Sequence, residues 1–110
     1  MLESLIGSTT CEKALVFLTA RQEGYMREIA DFFDIAPAPL LRQLDKLENG
    51  GILYSKSVGR TRVFGFNPRY PFLNELRALL LKVLTFYPED IRNRLENDRR
   101  RPRKKDKPLS

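Results

Sequence analysis

One stretch, residues 26–66, restricts the fold of this chain more than any other. Apolar residues recur in it at the i, i+3, i+4 and i+7 spacing of one helical face, at Met26, Ile29, Ala30 and Phe33. After an interruption at 34–36, Pro37 takes the first position of a second helix, where its missing N–H costs nothing. The buried side of this second helix carries Leu40, Leu44 and Leu47, and Gly50-Gly51 ends it. Helices so close together must cross steeply, which predicts a helix-turn-helix over residues 26–50.

Two β-rich runs follow this helix pair. They cover residues 52–57 and 62–66, and the polar, glycine-containing turn Val58-Gly59-Arg60-Thr61 separates them. Such runs around a short turn predict a β-hairpin. A hairpin placed directly after a helix-turn-helix is a wing, so we expect a wing over residues 52–66.

The sequence of this stretch resembles a known class of regulators. Its segments REIA, LDKLENGGIL and GRTRVFGFNP match, in order and spacing, the winged helix-turn-helix of bacterial and archaeal ArsR- and MarR-like transcriptional regulators. The resemblance covers roughly residues 9–87 and implies an α+β fold, mostly α, with a long C-terminal dimerisation helix. It also implies double-stranded DNA binding by a homodimer, and a short third strand that pairs with the wing near Tyr25.

The flanking sequence completes one domain, which we expect to span residues 1–97. The pattern Thr9-Thr10-Cys11-Glu12 fits a capping box, with the Thr9 hydroxyl and the Glu12 carboxylate satisfying free N–H groups. The helix that follows is expected to run to about Ala20 and to bury Cys11. Residues 2–6 are apolar enough for a further short turn of helix. The predicted shared core consists of Leu15, Leu18, Ile29, Phe33, Leu40, Leu44, Leu47 and Leu53.

Charge is distributed unevenly along the 110 residues, whose net charge is +6. Residues 1–35 carry three basic and six acidic groups, residues 36–70 carry six and two, and residues 71–97 carry four of each. Residues 98–110, a tail that we expect to be disordered beyond about Arg101, carry seven basic and two acidic groups. Positive charge on the helix-turn-helix, the wing and the tail is the electrostatic pattern of a nucleic-acid binder. The predicted phosphate contacts of the tail are Arg99, Arg100, Arg101, Arg103, Lys104, Lys105 and Lys107.

The second helix of the motif departs from related sequences at its start. Those sequences place Ser or Thr before the proline and then small polar residues that reach base edges, whereas this chain has Ala36-Pro37-Ala38-Pro39-Leu40-Leu41. One interpretation is a recognition helix with few base contacts, and the other is a helix whose apolar tip packs on protein. In the wing, the basic groups are either phosphate ligands or part of a solvated hairpin turn. The predicted DNA-binding residues are Arg42, Gln43, Lys46, Lys56, Arg60, Thr61 and Arg62.

A long helix is predicted over residues 72–87, ended by Pro88 and followed by a shorter helix. Its apolar residues other than Leu81 cover an arc of about 160°, wider than the roughly 100° that a surface helix needs to pack on its own core. The excess predicts a second partner surface. The corresponding helix forms the dimer interface in related regulators, and the predicted interface residues are Phe72, Leu76, Leu79, Leu80, Val83 and Phe86.

Several classes of function find no support in the sequence. Cys11 is the only cysteine and there is no histidine, so an internal disulfide is impossible and a metal site is improbable on chemical grounds. Some ArsR-type repressors sense metals through cysteine clusters that this chain lacks, and Cys11 is interpreted as a small core residue. We find no catalytic motif, expect no enzyme activity, cofactor or metal, and expect a cytoplasmic protein with no membrane span or signal. Two alternatives to DNA binding remain: an interaction module that partners a separately encoded enzyme, and an RNA-binding winged domain.

Overall fold

A computed structural model describes residues 1–96 of the chain. The tail and its predicted phosphate contacts, Arg99, Arg100, Arg101, Arg103, Lys104, Lys105 and Lys107, lie outside the described residues. The elements in chain order are α1 (Glu3–Ile6), α2 (Thr9–Arg21), β1 (Glu23–Tyr25), α3 (Met26–Phe33), α4 (Pro37–Asn49), β2 (Leu53–Val58), β3 (Thr61–Phe66), α5 (Leu73–Leu84) and α6 (89–96).

The three strands form an antiparallel sheet in the order β1-β3-β2. The central strand pairs Glu23 with Gly65 on one side and Leu53 with Phe66 on the other. A two-residue loop, Gly59-Arg60, joins β2 to β3, and Gly59 has a φ of +63°, which glycine adopts without steric cost. The predicted wing and the third strand at Tyr25 are therefore confirmed.

Helix α2 forms the centre of the core. Every residue from Val16 to Ala20 is buried, and so are Cys11, Ala14 and Leu15 on its earlier turns. A helix that is apolar on nearly all sides must be surrounded by other elements, and α2 contacts α1, α3, α4, α5, β1 and β3. The interpretation of Cys11 as a core residue is confirmed.

The helix-turn-helix is built as the spacing predicts. Helix α3 ends at Asp34, whose φ of +55° lies in the left-handed region that redirects the chain. Leu40, Leu44 and Leu47 of α4 are all buried. The other predicted core residues are also buried, except Phe33, which is half-buried at the C-terminal end of α3. Its ring packs edge-to-face on that of Phe32, 4.9 Å away between centroids.

The N-terminus of α2 differs from the prediction. The cap is Ser8, whose hydroxyl accepts a hydrogen bond from the Cys11 N–H at 3.1 Å, so the predicted cap at Thr9 is wrong by one residue. Glu12 is buried and bonds to groups outside α2 rather than to the first N–H groups of that helix. Its carboxylate accepts hydrogen bonds from the Leu2 N–H and, at 2.6 Å, from the Tyr87 hydroxyl. Burial raises the pKa of Glu12, but these hydrogen bonds and the N-terminal ammonium group of Met1, 3.2 Å from Glu12 Oε1, outweigh it, and the pKa lies below its ordinary value.

Helix α5 is shorter than predicted. It spans 12 residues and ends at Leu84, whereas the prediction extended it to Tyr87, before Pro88. The Thr85 hydroxyl donates to the Lys82 carbonyl at 2.6 Å, and the next N–H groups, those of Phe86 and Tyr87, donate to the third residue back. These tighter turns bring Tyr87 to the buried Glu12. The end of α5 is therefore set by a tertiary contact as well as by the local sequence.

Leu44→Ala is expected to lower the free energy of unfolding by about 2–5 kcal/mol, because a fully buried side chain is lost and a cavity remains. Chemical denaturation followed by circular dichroism measures the change. Leu81→Ala is the matched control, since Leu81 is 53% exposed and its truncation should cost less than about 1 kcal/mol. A loss as small for Leu44 as for Leu81 would contradict the assigned face of α4.

Candidate nucleic-acid interface

The outer face of α4 carries a polar stripe opposite its buried leucines. Arg42, Lys46 and Asn49 are exposed and fall within roughly 60° of arc at 100° per residue. Gln43, which we predicted as a base contact, lies nearer the leucine face and is half-buried. Asn49 was missed by the sequence analysis, although its i+7 spacing from Arg42 indicates the same face.

The N-terminal tip of α4 offers no side-chain hydrogen bonds. Ala36, at the N-cap position, makes no capping bond. Ala38 is exposed, whereas Pro39 and Leu41 are half-buried. Hydrogen bonding by this tip is therefore limited to the few backbone N–H groups of the first turn, because Pro37 and Pro39 have none.

The wing tip presents one unpaired cation. Arg60 occupies the second position of the β2–β3 loop and is exposed, as is the adjacent Thr61. Within residues 1–96, the Arg60 side chain forms no ion pair or hydrogen bond. It is therefore free to contact an anion.

Arg62, in contrast, is held by carboxylates of α4. Its Nη2 lies 2.8 Å from Asp45 Oδ1 and 2.6 Å from Glu48 Oε1, and its Nε donates to Ser55 Oγ at 3.2 Å. The guanidinium also lies over the Phe64 ring, 4.6 Å from the centroid. The hydrogen bond to Glu48 is the main cause of the raised pKa of Arg62. We call these residues, Asp45, Glu48, Ser55 and Arg62, the α4–wing cluster.

Lys56 is paired on the opposite face of the hairpin. Its Nζ lies 3.0 Å from Glu23 Oε2, and the Tyr54 hydroxyl donates to the same oxygen. The hydrogen bond from Tyr54, followed by that from Lys56, lowers the pKa of Glu23, and the pKa of Lys56 is raised in return. Of the three basic wing residues that we predicted together, only Arg60 is thus without a carboxylate partner among the described residues.

The predicted dimer residues divide into three groups by exposure. Leu80 and Val83 are buried in the core of this chain, Leu76 is half-buried, and Phe72, Leu79 and Phe86 are exposed by 61%, 37% and 62%. Leu81, outside the predicted set, is also exposed. Buried Leu80 and Val83 are not available to a second chain without disruption of the core, so only the exposed residues are accessible to one.

Residues 1–96 offer neither a metal site nor a membrane-spanning helix. These residues contain no group of three or more acidic, cysteine or histidine side chains arranged to hold a metal ion. None of their helices is long and apolar enough to cross a membrane.

The helix-turn-helix, the hairpin after it and the third strand together define a winged helix-turn-helix fold. Solved structures share this fold, among them an apo-form mutant of ZitR from Lactococcus lactis, at a TM-score of 0.55 and 22% identity, covering 78% of this chain and 68% of that chain. The transcriptional regulator BldR from Sulfolobus solfataricus matches with a TM-score of 0.52 and 20% identity, covering 87% of this chain and 74% of that chain. Wild-type ZitR in complex with DNA matches with a TM-score of 0.50 and 16% identity, covering 88% of this chain and 74% of that chain.

These similarities confirm the predicted fold, α+β and mostly helical. At identities of 16–22% they establish the fold alone. No family and no curated protein matches the sequence itself.

Arg62→Gln is expected to lower the free energy of unfolding by about 1 kcal/mol at low salt, because the α4–wing cluster loses its only cation. The effect should shrink at high salt, since the side chains of Arg62 and Asp45 are 44% and 46% exposed and their attraction is screened. Arg60→Gln is the matched control and should change stability by less than about 0.5 kcal/mol. Equal destabilisation by the two substitutions, measured by denaturant titration, would contradict the cluster.

Proposed function

We propose that this protein binds double-stranded DNA as a dimeric transcriptional regulator of the ArsR- and MarR-like type. The observation that carries this proposal is the set of unpaired cations, Arg42 and Lys46 on the outer face of α4 and Arg60 at the wing tip, on a winged helix-turn-helix fold. An α-helix fits the major groove, and a basic hairpin tip beside it reaches the phosphates or the minor groove. The structural similarity to ZitR in complex with DNA supports the choice of duplex DNA.

Affinity in this proposal comes mainly from phosphate neutralisation, which releases counterions. Arg60 contributes most among the wing residues because no carboxylate competes for it within the described residues. Lys56 and Arg62 contribute less, since a phosphate must compete with Glu23 or with Asp45 and Glu48 for each of them. The α4–wing cluster has a second effect: Arg62 partly neutralises Asp45, which would otherwise repel phosphate beside the recognition face.

Sequence preference in this proposal rests on few side chains. Arg42 is suited to bidentate hydrogen bonding with a guanine edge, and Lys46 and Asn49 flank it on the same stripe. Gln43 can take part from the edge of this surface. Because the α4 tip has no polar side chain, base discrimination should be modest and DNA shape should contribute to the preference. The basic tail, residues 98–110, adds sequence-independent phosphate contacts.

Arg60→Ala is expected to weaken binding to all duplexes alike and to reduce the slope of log K against log salt by about one per protomer, because one phosphate contact is lost. Lys56→Ala, which removes a cation already paired with Glu23, is the matched control and should reduce the slope less. Fluorescence anisotropy with a labelled duplex over a salt series measures both.

Arg42→Ala is the complementary substitution. It should remove about 1–3 kcal/mol of discrimination at one base position while it changes non-specific binding little. Selection from a randomised duplex library, followed by sequencing, measures the preference. If the wild type binds no duplex at low salt, or binds single-stranded RNA better, the DNA proposal fails and the interaction-module or RNA-binding alternative gains support.

The dimeric part of the proposal is supported by exposed apolar residues around α5. Phe72 lies 5.8 Å from Tyr70 between ring centroids, in an edge-to-face pair that projects an aromatic surface before the helix begins. Leu79 and Phe86 are exposed further along. Exposed apolar side chains grouped around one element often mark an interface. A homodimer that covers these three residues would leave Leu80 and Val83 in the core where they are.

The double substitution Leu79→Glu and Phe86→Glu is expected to give a folded monomer, because two charges would have to be buried in the interface. Sedimentation equilibrium at micromolar concentrations measures the change in mass, and circular dichroism checks the fold. Leu81→Glu is the control, since Leu81 is exposed but outside the proposed interface. A monomeric wild type, or an equal loss of dimer in the control, would contradict this surface.

A further inference from the structure

A second surface, between α5 and α6, has features of a small-ligand site. A cleft of about 340 Å³ is lined by two leucines of α5 and by polar groups of the turn and of α6: Leu81, Leu84, Thr85, Arg92, Asn93 and Glu96. This volume is at the lower end of the roughly 300–1,000 Å³ of ligand pockets, so a small molecule fits it better than a large one. None of these residues belongs to the proposed DNA surface.

Arg92 is the unusual residue of this cleft. Its Nε is buried, yet it has no hydrogen-bond partner, and it is the only buried side-chain nitrogen or oxygen in residues 1–96 with this property. Glu96 stands at the i+4 position, from which an arginine and a glutamate on a helix commonly pair. Within the same part of the chain, Arg92 nevertheless forms no ion pair with Glu96 or with any other residue. The protein itself covers this Nε, so a ligand in the cleft would instead meet the terminal guanidinium nitrogens of Arg92, which also have no acceptor within residues 1–96.

The lining groups define the chemistry of that ligand. The Arg92 guanidinium favours a carboxylate, with the Asn93 amide as a second donor. The Glu96 carboxylate opposes a second negative charge and favours a cation instead. The Thr85 hydroxyl donates its proton to the Lys82 carbonyl, so its lone pairs remain free to accept from that cation. Leu81 and Leu84 provide an apolar wall beside these polar groups.

We propose that this cleft binds a free α-amino acid with an apolar side chain. Its carboxylate would accept from the terminal guanidinium nitrogens of Arg92, its ammonium group would donate to Glu96 and Thr85, and its side chain would pack on Leu81 and Leu84. Residues one helical turn apart are about 5–6 Å apart at Cβ, which suits opposite charges carried on neighbouring atoms of one small ligand. The site needs neither DNA nor a second chain.

Isothermal titration of the full-length protein without DNA tests this proposal with L-leucine and L-phenylalanine as probes. Three comparison ligands each remove one feature: L-leucinol lacks the carboxylate, 4-methylpentanoate lacks the ammonium group, and glycine lacks the apolar side chain. We expect saturable binding of at least one probe, and binding weaker by about tenfold or more for each comparison ligand. No binding of either probe, or equal binding of leucine and leucinol, would overturn the proposal.

Variants assign the binding to the cleft. Arg92→Gln and Glu96→Gln should each weaken binding of the amino acid by about tenfold or more, because each removes one charged partner. Arg77→Gln is the control, an arginine of α5 that lies over the Phe66 ring outside the cleft, and it should leave binding unchanged. Glu96 is exposed, so Glu96→Gln remains informative if Arg92→Gln disturbs the packing of α6. Unchanged binding in both variants would overturn the assignment even if the amino acid binds.

Discussion

The burial of α2 is the constraint on which the rest of the structure depends. Its middle turns have no exposed face, so other elements must cover it on every side. The packing is close: a Cβ added to Gly24 of β1 would lie 2.6 Å from a ring carbon of Phe17. The two buried polar residues of α2 are also satisfied, since the Thr19 hydroxyl donates to the Leu15 carbonyl at 2.8 Å and Glu12 is bonded as described above. The helix therefore fixes where the sheet edge approaches the core.

The proposed DNA surface follows from this arrangement. Because α4 turns its leucine face towards α2, its opposite face, with Arg42 and Lys46, must face solvent. Strand β2 begins only a few residues after α4 ends, so the wing cannot be far from that face. The α4–wing cluster then adds charged hydrogen bonds to the apolar packing between the helix and the hairpin, where Leu47 and Leu53 are both buried. The surface is thus positioned by the core on one side and by ion pairs on the other.

Periodicity in the sequence was sufficient to predict the helix-turn-helix, the wing and most of the core, because apolar spacing directly reports the face that each element buries. It was insufficient for the partners of Arg62 and Lys56. Their carboxylates lie 14, 17 and 33 positions away in sequence, and only the tertiary fold brings them together. The sequence therefore predicted three wing cations available to phosphate, whereas Lys56 and Arg62 are paired with carboxylates. The early end of α5 was missed for the same reason, since Tyr87 is drawn to Glu12 from a distant helix.

The pairing of β1 with β3 has a consequence for how the chain folds and opens. It joins Glu23 to Gly65 and Tyr25 to Val63, and α3, α4 and β2 all lie within the loop of roughly 40 residues that it closes. Closing such a loop costs conformational entropy before its contacts form, so this step should limit the folding rate. Once this loop is closed, unfolding that starts at either end of the chain does not reach α4 until β1 separates from β3. Its amides should exchange with solvent only when the edge strand separates, as one cooperative unit with the sheet.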